Sequence, residues 1–383
     1  MDDLSKSNTK DLHIDKYKTK TSFNKWFSSI KLKVLSKEAK QHIAGFNRYV
    51  KKFHFETALK LFLHGINTEK ESLRHLDTSM VSPDLQRELG LDSISHTQLS
   101  RTLTKLTPAV LWEIFLQLVG QAEALDSRTH PHKVFIVDST TFSLNKQRYP
   151  WAKFRKTKSG VKLHLKVCFM EKDQVYPTEF KVTSAAEHDN SHLDCLVNDR
   201  QATYVFDRGY DDYLRLDRMN REGYYFVTRL KKDAKLVDPL PSAEVAHCQE
   251  PIESDILACL GGAHHVTKRF RVITVKRKGK DPLRLVTNRH DLSADAISAI
   301  YRSRWEIELF FKHIKQHLTI KTYFSRSEQG VTNQLILAMI DYLLTFLLRQ
   351  RTQTRWGHFQ VLRRLRALLF EPYERLLALL RPT

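Results

Sequence analysis

The sequence predicts a mixed α/β protein with an all-helical front, and three observations carry that reading. From about residue 130 to 230, short β-branched and aromatic runs alternate with helical stretches in the order strand, strand, strand, helix, strand, helix, strand. Before them, residues 1–125 show helix-period segments, capping residues and a Gly-containing turn, with no comparable strand. After them, about 60 residues separate the fifth strand from the next helix. That is too long for a plain loop, and further β runs within it mark a β-rich insertion near 231–290. The expected division is a helical domain at 1–125, an α/β domain at 126–350 and a helical segment at 351–383. A chain of 383 residues with 41% hydrophobic content can bury such cores.

The formal net charge of +20 exceeds what solubility needs and favours a polyanionic partner, nucleic acid ahead of a membrane surface. The start, MDDLSKSNTKDLHIDKYKTK, is polar and lysine-rich, which speaks against export and for a cytoplasmic, nucleoid-associated protein. The longest apolar run, Leu335 to Leu348, is short for a membrane span and carries Asp341, so it reads as a buried core helix. Cys168, Cys195, Cys248 and Cys259 lack close pairing, as suits a reducing compartment. His247, Cys248, Cys259, His264 and His265 match no common zinc spacing.

Taken in order, residues 1 to about 40 show no clear period and read as a basic, partly mobile lead-in. FNRYVKKFHFETALKLFLHGI then sets Tyr49, Phe53, Leu59 and Phe62 among lysines as a helix with a basic face. SLRHLDT follows, then SPDLQRELGL with Ser82 as cap and Pro83 in the first turn, then SHTQLSRTLTKL capped by Ser95. Three short helices ending in a polar one that exposes Arg101 suit a helix-turn-helix reader, and equally a small helical bundle. TPAVLWEIFLQLVGQAEAL is a long apolar helix that packs the bundle.

HKVFIVDSTTFSL reads as a central strand ending at Asp138, and KLHLKVCFM and VYPTEFKVTS form a meander through an EKDQ turn at Asp173. ATYVFDRGYDD is a fourth strand running into Asp207, and YYFVTRLKK is the fifth. This is the order of a ribonuclease H-like core, whose first and fourth strands adjoin, so Asp138 and Asp207 would meet. Lys153, Arg155, Lys156, Lys158 and Lys162 follow the first aspartate and would widen a basic groove; singly, each reads as a solvated charge. RFRVITVKRK, PLRLVTN and IESDILACL supply the insertion's strands. NQLILAMIDYLLTFLLRQ should cover the sheet, and the C-terminal amphipathic helices would close the core or self-associate.

YRSRWEIELFFKHIKQHL places Tyr301, Arg304, Glu308 and Lys315 within roughly 60° of one helical face. An apolar stripe of Ile300, Ile307, Phe311, Ile314 and Leu318 lies beside it. Alone, this could be an ion-pair ladder. The gaps of two, three and six residues, however, resemble the YREK signature of bacterial insertion-sequence transposases of the IS-four family, within the DDE superfamily. DST, DRGY and YRSRWEIELFFKHIK stand in family order, and the family's insertion falls where this chain has one.

The resemblance implies a DNA transposase that nicks element ends and joins the freed 3′ hydroxyls to target DNA. It implies Asp138, Asp207 and Glu308 as catalytic carboxylates and metal ligands for two Mg²⁺ or Mn²⁺ ions, whose charge offsets the carboxylates' mutual repulsion. Tyr301, Arg304 and Lys315 would contact DNA at the transposon end, with Arg101, Lys158 and Lys162 as further DNA contacts. The partners implied are double-stranded DNA, as inverted-repeat ends and target, and a second copy of the chain in a homodimeric paired-end complex. A hairpin intermediate is left open. Rival readings are a ribonuclease H-like nuclease of repair and a non-catalytic DNA-binding descendant.

Overall fold

The computed structural model describes residues 20–126, 133–155, 158–187, 190–210, 212–242, 248–261, 267–317 and 323–381. Residues 1–19, Lys156, His247, His264, His265 and Leu318 lie outside them. The chain divides into two compact units, Met1–Leu125 with His313–Thr383, and Asp126–Lys312.

The first unit is helical. It holds α1 (Ser22–Phe27), α2 (Lys37–Asn47), α3 (Phe55–Asn67), α4 (Leu73–Ser79), α5 (Pro83–Leu89), α6 (His96–Lys105) and α7 (Pro108–Leu125). From the C-terminal part come α12 (Glu328–Thr352), α13 (His358–Ala367) and α14 (Tyr373–Leu380). Ser82 accepts the Leu85 amide with Pro83 opening α5, Gly90 ends it at φ +60°, and Ser95 accepts the Gln98 amide of α6. The short helices are therefore set by their caps.

Two expectations need correction here. Residues 20–40 are not a loose lead-in, because α1 buries Phe23, Trp26 and Phe27. A helix of 6 residues spans less than two turns and shows no period to read. Its anchors are distant: the Ser22 and Phe23 amides donate to the carbonyls of Glu371 and Leu369 at 2.9 and 2.7 Å, and Tyr373 N donates to Lys20 O at 3.1 Å. Trp26 Nε1 donates to Thr345 Oγ1 at 3.3 Å. Second, α12 packs among α1, α3, α6, α7 and α13, where a place over the sheet was expected. It is apolar on every side, a pattern that calls for burial without naming the neighbours. It has the length and composition of a membrane span, yet 94% of its apolar window is buried in the protein, as a core helix should be.

Asp341 sits inside that helix, where its Oδ1 accepts Asn67 Nδ2 at 2.9 Å. Burial pushes its carboxyl up from 3.8 to about 7, only partly opposed by the Asn67 bond. The folded protein thus holds this proton more tightly than the unfolded chain, so the associated stability is full below the unfolded value and is lost as pH rises through the folded one. A tenfold difference in proton affinity between the two states is worth about 1.4 kcal/mol. Asp341→Asn keeps an acceptor for Asn67 without the charge, and should raise Tm near pH 8 while changing little near pH 4. Equal Tm shifts at both pH values would contradict this.

The second unit carries a 10-stranded sheet. Its strands are β1 (Val134–Leu144), β2 (Lys153–Arg155), β3 (Lys158–Glu171), β4 (Gln174–Ser184), β5 (Thr203–Phe206) and β6 (Tyr225–Arg229). The insertion adds β7 (Leu236–Pro241), β8 (Ile252–Leu260), β9 (Arg269–Arg277) and β10 (Lys280–Thr287). The order runs β3-β1-β5-β6-β10-β9-β8-β7, with β2 and β4 both on β3. The meander is antiparallel, while β5 runs parallel to β1 and β6 parallel to β5. The connecting helices are α8 (Asn190–Leu196) and α9 (Tyr213–Arg221), and α10 (Ala294–Arg302) and α11 (Trp305–His317) follow the insertion.

The insertion is no separate body. β10 pairs antiparallel with β6 and lengthens the same sheet, covering an edge that would otherwise be open. It is also tied to the approach to α10. Arg271 and Asp255, both buried, meet at 2.6 Å, and Arg271 Nη1 donates to the Arg289 and Leu292 carbonyls at 3.2 and 2.5 Å. Asp295 in the first turn of α10 accepts the Gln249 and Glu250 amides at 3.1 and 2.8 Å.

Candidate active site

Parallel pairing fixes the centre of the site. In the β1–β5 register Ile136 faces Val205, so two residues further on Asp138 comes level with Asp207. In the β5–β6 register Phe206 faces Thr228, which brings Asp207 level with Arg229. A row of Asp138, Asp207 and Arg229 therefore crosses the carboxyl ends of the parallel pairings, the place where open α/β sheets bind ligands.

Asp207 follows the last residue of β5, as expected for a strand-end aspartate. Asp138 does not end its strand, because β1 continues to Leu144 against β3. What stops near it is β5. The antiparallel partner continues while the parallel partner does not, which leaves Asp138 on an open shelf. Its Oδ1 accepts the Ser139 amide at 2.7 Å. Burial pushes its carboxyl up to about 6; the Ser139 amide and the nearby Arg304 oppose the rise, and Asp207 and Glu308 add to it. Asp207 and Glu308 thus lie close enough for their charge to act on Asp138.

The stretch carrying Tyr301 and Glu308 is not one continuous helix. α10 stops at Arg302 and α11 begins at Trp305, with tight turns in which Arg304 N donates to Tyr301 O at 3.1 Å and Glu306 N to Ser303 O at 2.9 Å. Ser303 Oγ donates back to the Ile300 carbonyl at 2.6 Å, a bond that competes with helix propagation. The single 60° face expected from an ideal helix is thus replaced by a joint. The joint nevertheless brings the side chains together. Tyr301 OH donates to Asp207 Oδ1 at 3.3 Å, and Arg304 Nη2 donates to Glu308 Oε1 at 2.7 Å. Tyr301 is buried, and its phenol is pushed up to about 12 by that burial and by Asp207.

Each carboxylate has a donor of its own, the Ser139 amide, the Tyr301 hydroxyl or the Arg304 guanidinium. Like charges hold apart, and no three His, Cys, Asp or Glu groups among the described residues gather as a metal site. The donor set still fits a divalent cation. Carboxylates are hard donors, and the half-buried Asp138 resists ionisation partly because of the charge of Asp207 and Glu308, the conflict a cation relieves.

Glu306 contributes something the sequence did not announce. It is buried, and its Oε2 accepts the Asp173 amide at 3.2 Å, fastening the start of α11 to the β3–β4 turn, where Asp173 has φ +61°. Arg229, beside Tyr301, was also missed; its one signal was its place at the end of the fifth strand. Among the remaining expected residues, Lys315 lies seven residues beyond Glu308 on α11, half-buried and with its ammonium pushed down by burial. Lys158 is exposed at the start of β3, whereas Lys162 Nζ donates to the Glu187 carbonyl at 2.7 Å. Arg101 is exposed on α6, opposite the buried Leu99 and Leu103.

Comparison with known proteins bears on the same residues. Residues 129–344 match the family described as the transposase DDE domain, a span that takes in Asp138, Asp207, Glu308 and Lys315. A Geobacillus stearothermophilus protein named as a transposase for insertion sequence element IS5377 is 28% identical over 327 residues, 84% of each chain. A Sinorhizobium fredii protein named as a transposase, y4zB, is 32% identical over 240 residues, 62% of this chain and 66% of its own. A Synechocystis protein named as a transposase for insertion sequence element IS4SA is 24% identical over 284 residues, 71% of this chain and 77% of its own. With more than half of its length inside the family's domain, the chain belongs to the DDE-domain transposases of bacterial insertion sequences, enzymes that act on DNA.

Proposed function

We propose that Asp138, Asp207 and Glu308 are the catalytic carboxylates of this transposase, on a ribonuclease H-like core lengthened by the β7–β10 insertion, with the helical unit as the reader of the element's ends. The observation that carries the reading is the β1–β5 register, which brings Asp138 level with Asp207, with Tyr301 of the α10–α11 joint hydrogen-bonded to Asp207. Asp138, Asp207 and Glu308 would hold two divalent cations, Mg²⁺ or Mn²⁺ by the hardness of the donors. Such ions supply activation of water or a 3′ hydroxyl on one side of the phosphodiester and stabilisation of the leaving oxygen on the other.

The chain's own side chains orient this chemistry. Tyr301 holds Asp207 through its hydroxyl, Ser139 holds Asp138 through its amide, and Glu306 fixes the start of α11. Arg304 pairs with Glu308 within reach of Asp138 and Asp207, so it offsets acidic charge and can turn its remaining donors to a DNA phosphate. Lys315 is assigned to phosphate contact alone.

That division of labour is testable on one helix. Glu308→Gln keeps size and hydrogen bonding while removing the charge a hard cation requires, so it should bind end-containing DNA normally and fail to cleave it. Lys315→Ala should weaken end binding while partly sparing cleavage of nonspecific DNA, and Arg304→Ala should impair both because it touches both sets of groups. A gel shift run beside a cleavage assay reads all three. If Glu308→Gln loses end binding as severely as Lys315→Ala, or cleaves at the normal rate, the assignment is wrong.

A further inference from the structure

The turn between α2 and α3 has a feature that the site at the sheet edge does not explain. Tyr49 lies there in the left-handed backbone region, φ +63°, with 89% of its surface exposed. Each property is unfavourable for a bulky aromatic residue, since its Cβ crowds the backbone in that region and its ring is left in water. The Arg48 guanidinium stands 5.1 Å from the ring centroid, which steadies the ring without covering it. Arg48, Lys51, Lys52 and His54 are all exposed on the same short stretch.

The turn is fastened beside α6. Lys105 at the end of that helix donates to the Phe46 carbonyl at 3.2 Å and stands 5.0 Å from the Phe46 ring. Lys52 meets Asp92, in the α5–α6 connection, at 3.4 Å. Just before the turn, a cleft of about 360 Å³ lies between α2 and the end of α6, lined by Gln41, His42, Phe46, Lys105 and Thr107. Arg101, one turn back from Lys105 on the same side of α6, is exposed as well. This region thus combines a presented aromatic ring with several cations, among acids that include Asp92, which meets Lys52, and Glu38, which meets His42 at 3.9 Å.

We propose that this turn is a duplex-DNA contact in its own right. Tyr49 packs its ring on the sugar–phosphate edge, and Arg48, Lys51 and Lys52 neutralise phosphates flanking the stretch that α6 approaches. The charge selects a polyanion, and the ring adds a flat apolar face suited to sugar or base edges rather than to phosphate. The proposal rests on the reading of the helical unit as the DNA reader.

The test uses the full-length protein and duplex DNA taken from the borders of its gene, with a scrambled duplex of equal length beside it. Asn tolerates the left-handed region better than Tyr, so Tyr49→Asn should not lower Tm. It should weaken binding to the border duplex by about fivefold or more, the lower range for losing an aromatic contact. Lys51→Ala should reduce the slope of log K against log salt by about 0.9, the value for one phosphate. Arg101→Ala is the reference for α6. If Arg101→Ala weakens binding while Tyr49→Asn and Lys51→Ala leave affinity and slope unchanged, the turn is not a contact and the proposal falls alone. If all three bind as the parent does, the helical unit is not the reader, and both ideas fall.

Discussion

Asp138→Ala is expected to lose strand cleavage by about a thousandfold or more, the scale on which removing a group that stabilises transition-state charge is felt. The same holds for Asp207→Ala. The two residues come level across adjacent parallel strands, and Glu308, the third carboxylate of the proposed set, is already paired with Arg304. The fold should survive. Asp138 is half-buried with a carboxyl pushed up to about 6, so removing it relieves a partly desolvated acid and should not lower Tm. Cysteine at either position sharpens the test, because a thiolate is a poor ligand for Mg²⁺ and a better one for Mn²⁺. Mn²⁺ should restore part of the activity to Asp138→Cys and Asp207→Cys, and none to the alanine variants. Undiminished cleavage by Asp138→Ala in EDTA would remove the carboxylates from the mechanism.

Binding to DNA should weaken by about a thousandfold between about 50 and 200 mM salt if about six phosphates are neutralised. The motivation is the net charge of +20 together with exposed cations on both units, Arg48, Lys51, Lys52 and Arg101 on one, Lys153 and Lys158 on the other. Counterion release gives a straight line of log K against log salt, whose slope counts the phosphates. A flat response would mean that the positive charge serves something other than DNA.

The sequence told more about strands than about joints. Asp207 was legible because its β run stops at once in Arg-Gly-Tyr, and the adjacency of the first and fourth strands followed from their order along the chain. The place of Asp138 within a longer strand was not. Ser-Thr-Thr-Phe can end a strand or prolong it, and the outcome depends on β3, whose side of β1 remains paired to Leu144. The break after Arg302 was hidden for a related reason. Tyr-Arg-Ser-Arg-Trp contains no Gly or Pro, and the interruption rests on one serine bonding back to Ile300. Spacing singled out Tyr301, Arg304 and Glu308 as candidates, yet it could not show that Arg304 would turn to Glu308 or that Arg229 would stand near Tyr301. The insertion's strands were readable from composition, while their continuity with the main sheet required the pairing of β10 with β6.

The helical unit is assembled from both ends of the chain, and this sets an order in time. During synthesis α1 to α7 emerge first, but α12, on which α7, α3, α1 and α6 pack, lies beyond all of residues 126–312. Main-chain bonds from Ser22 and Phe23 wait for Glu371 and Leu369, which are made only after α12 and α13. A nascent chain or a truncation that stops at residue 312 therefore keeps Phe23, Trp26, Phe62 and Leu118 without their partners, a surface for chaperones and proteases. The sheet unit, contiguous in sequence, can close before it. Once residue 312 is made the sheet unit has all of its segments, while the helical unit still awaits α12 to α14, so if that unit reads the element's ends, as proposed, end recognition should mature after the sheet.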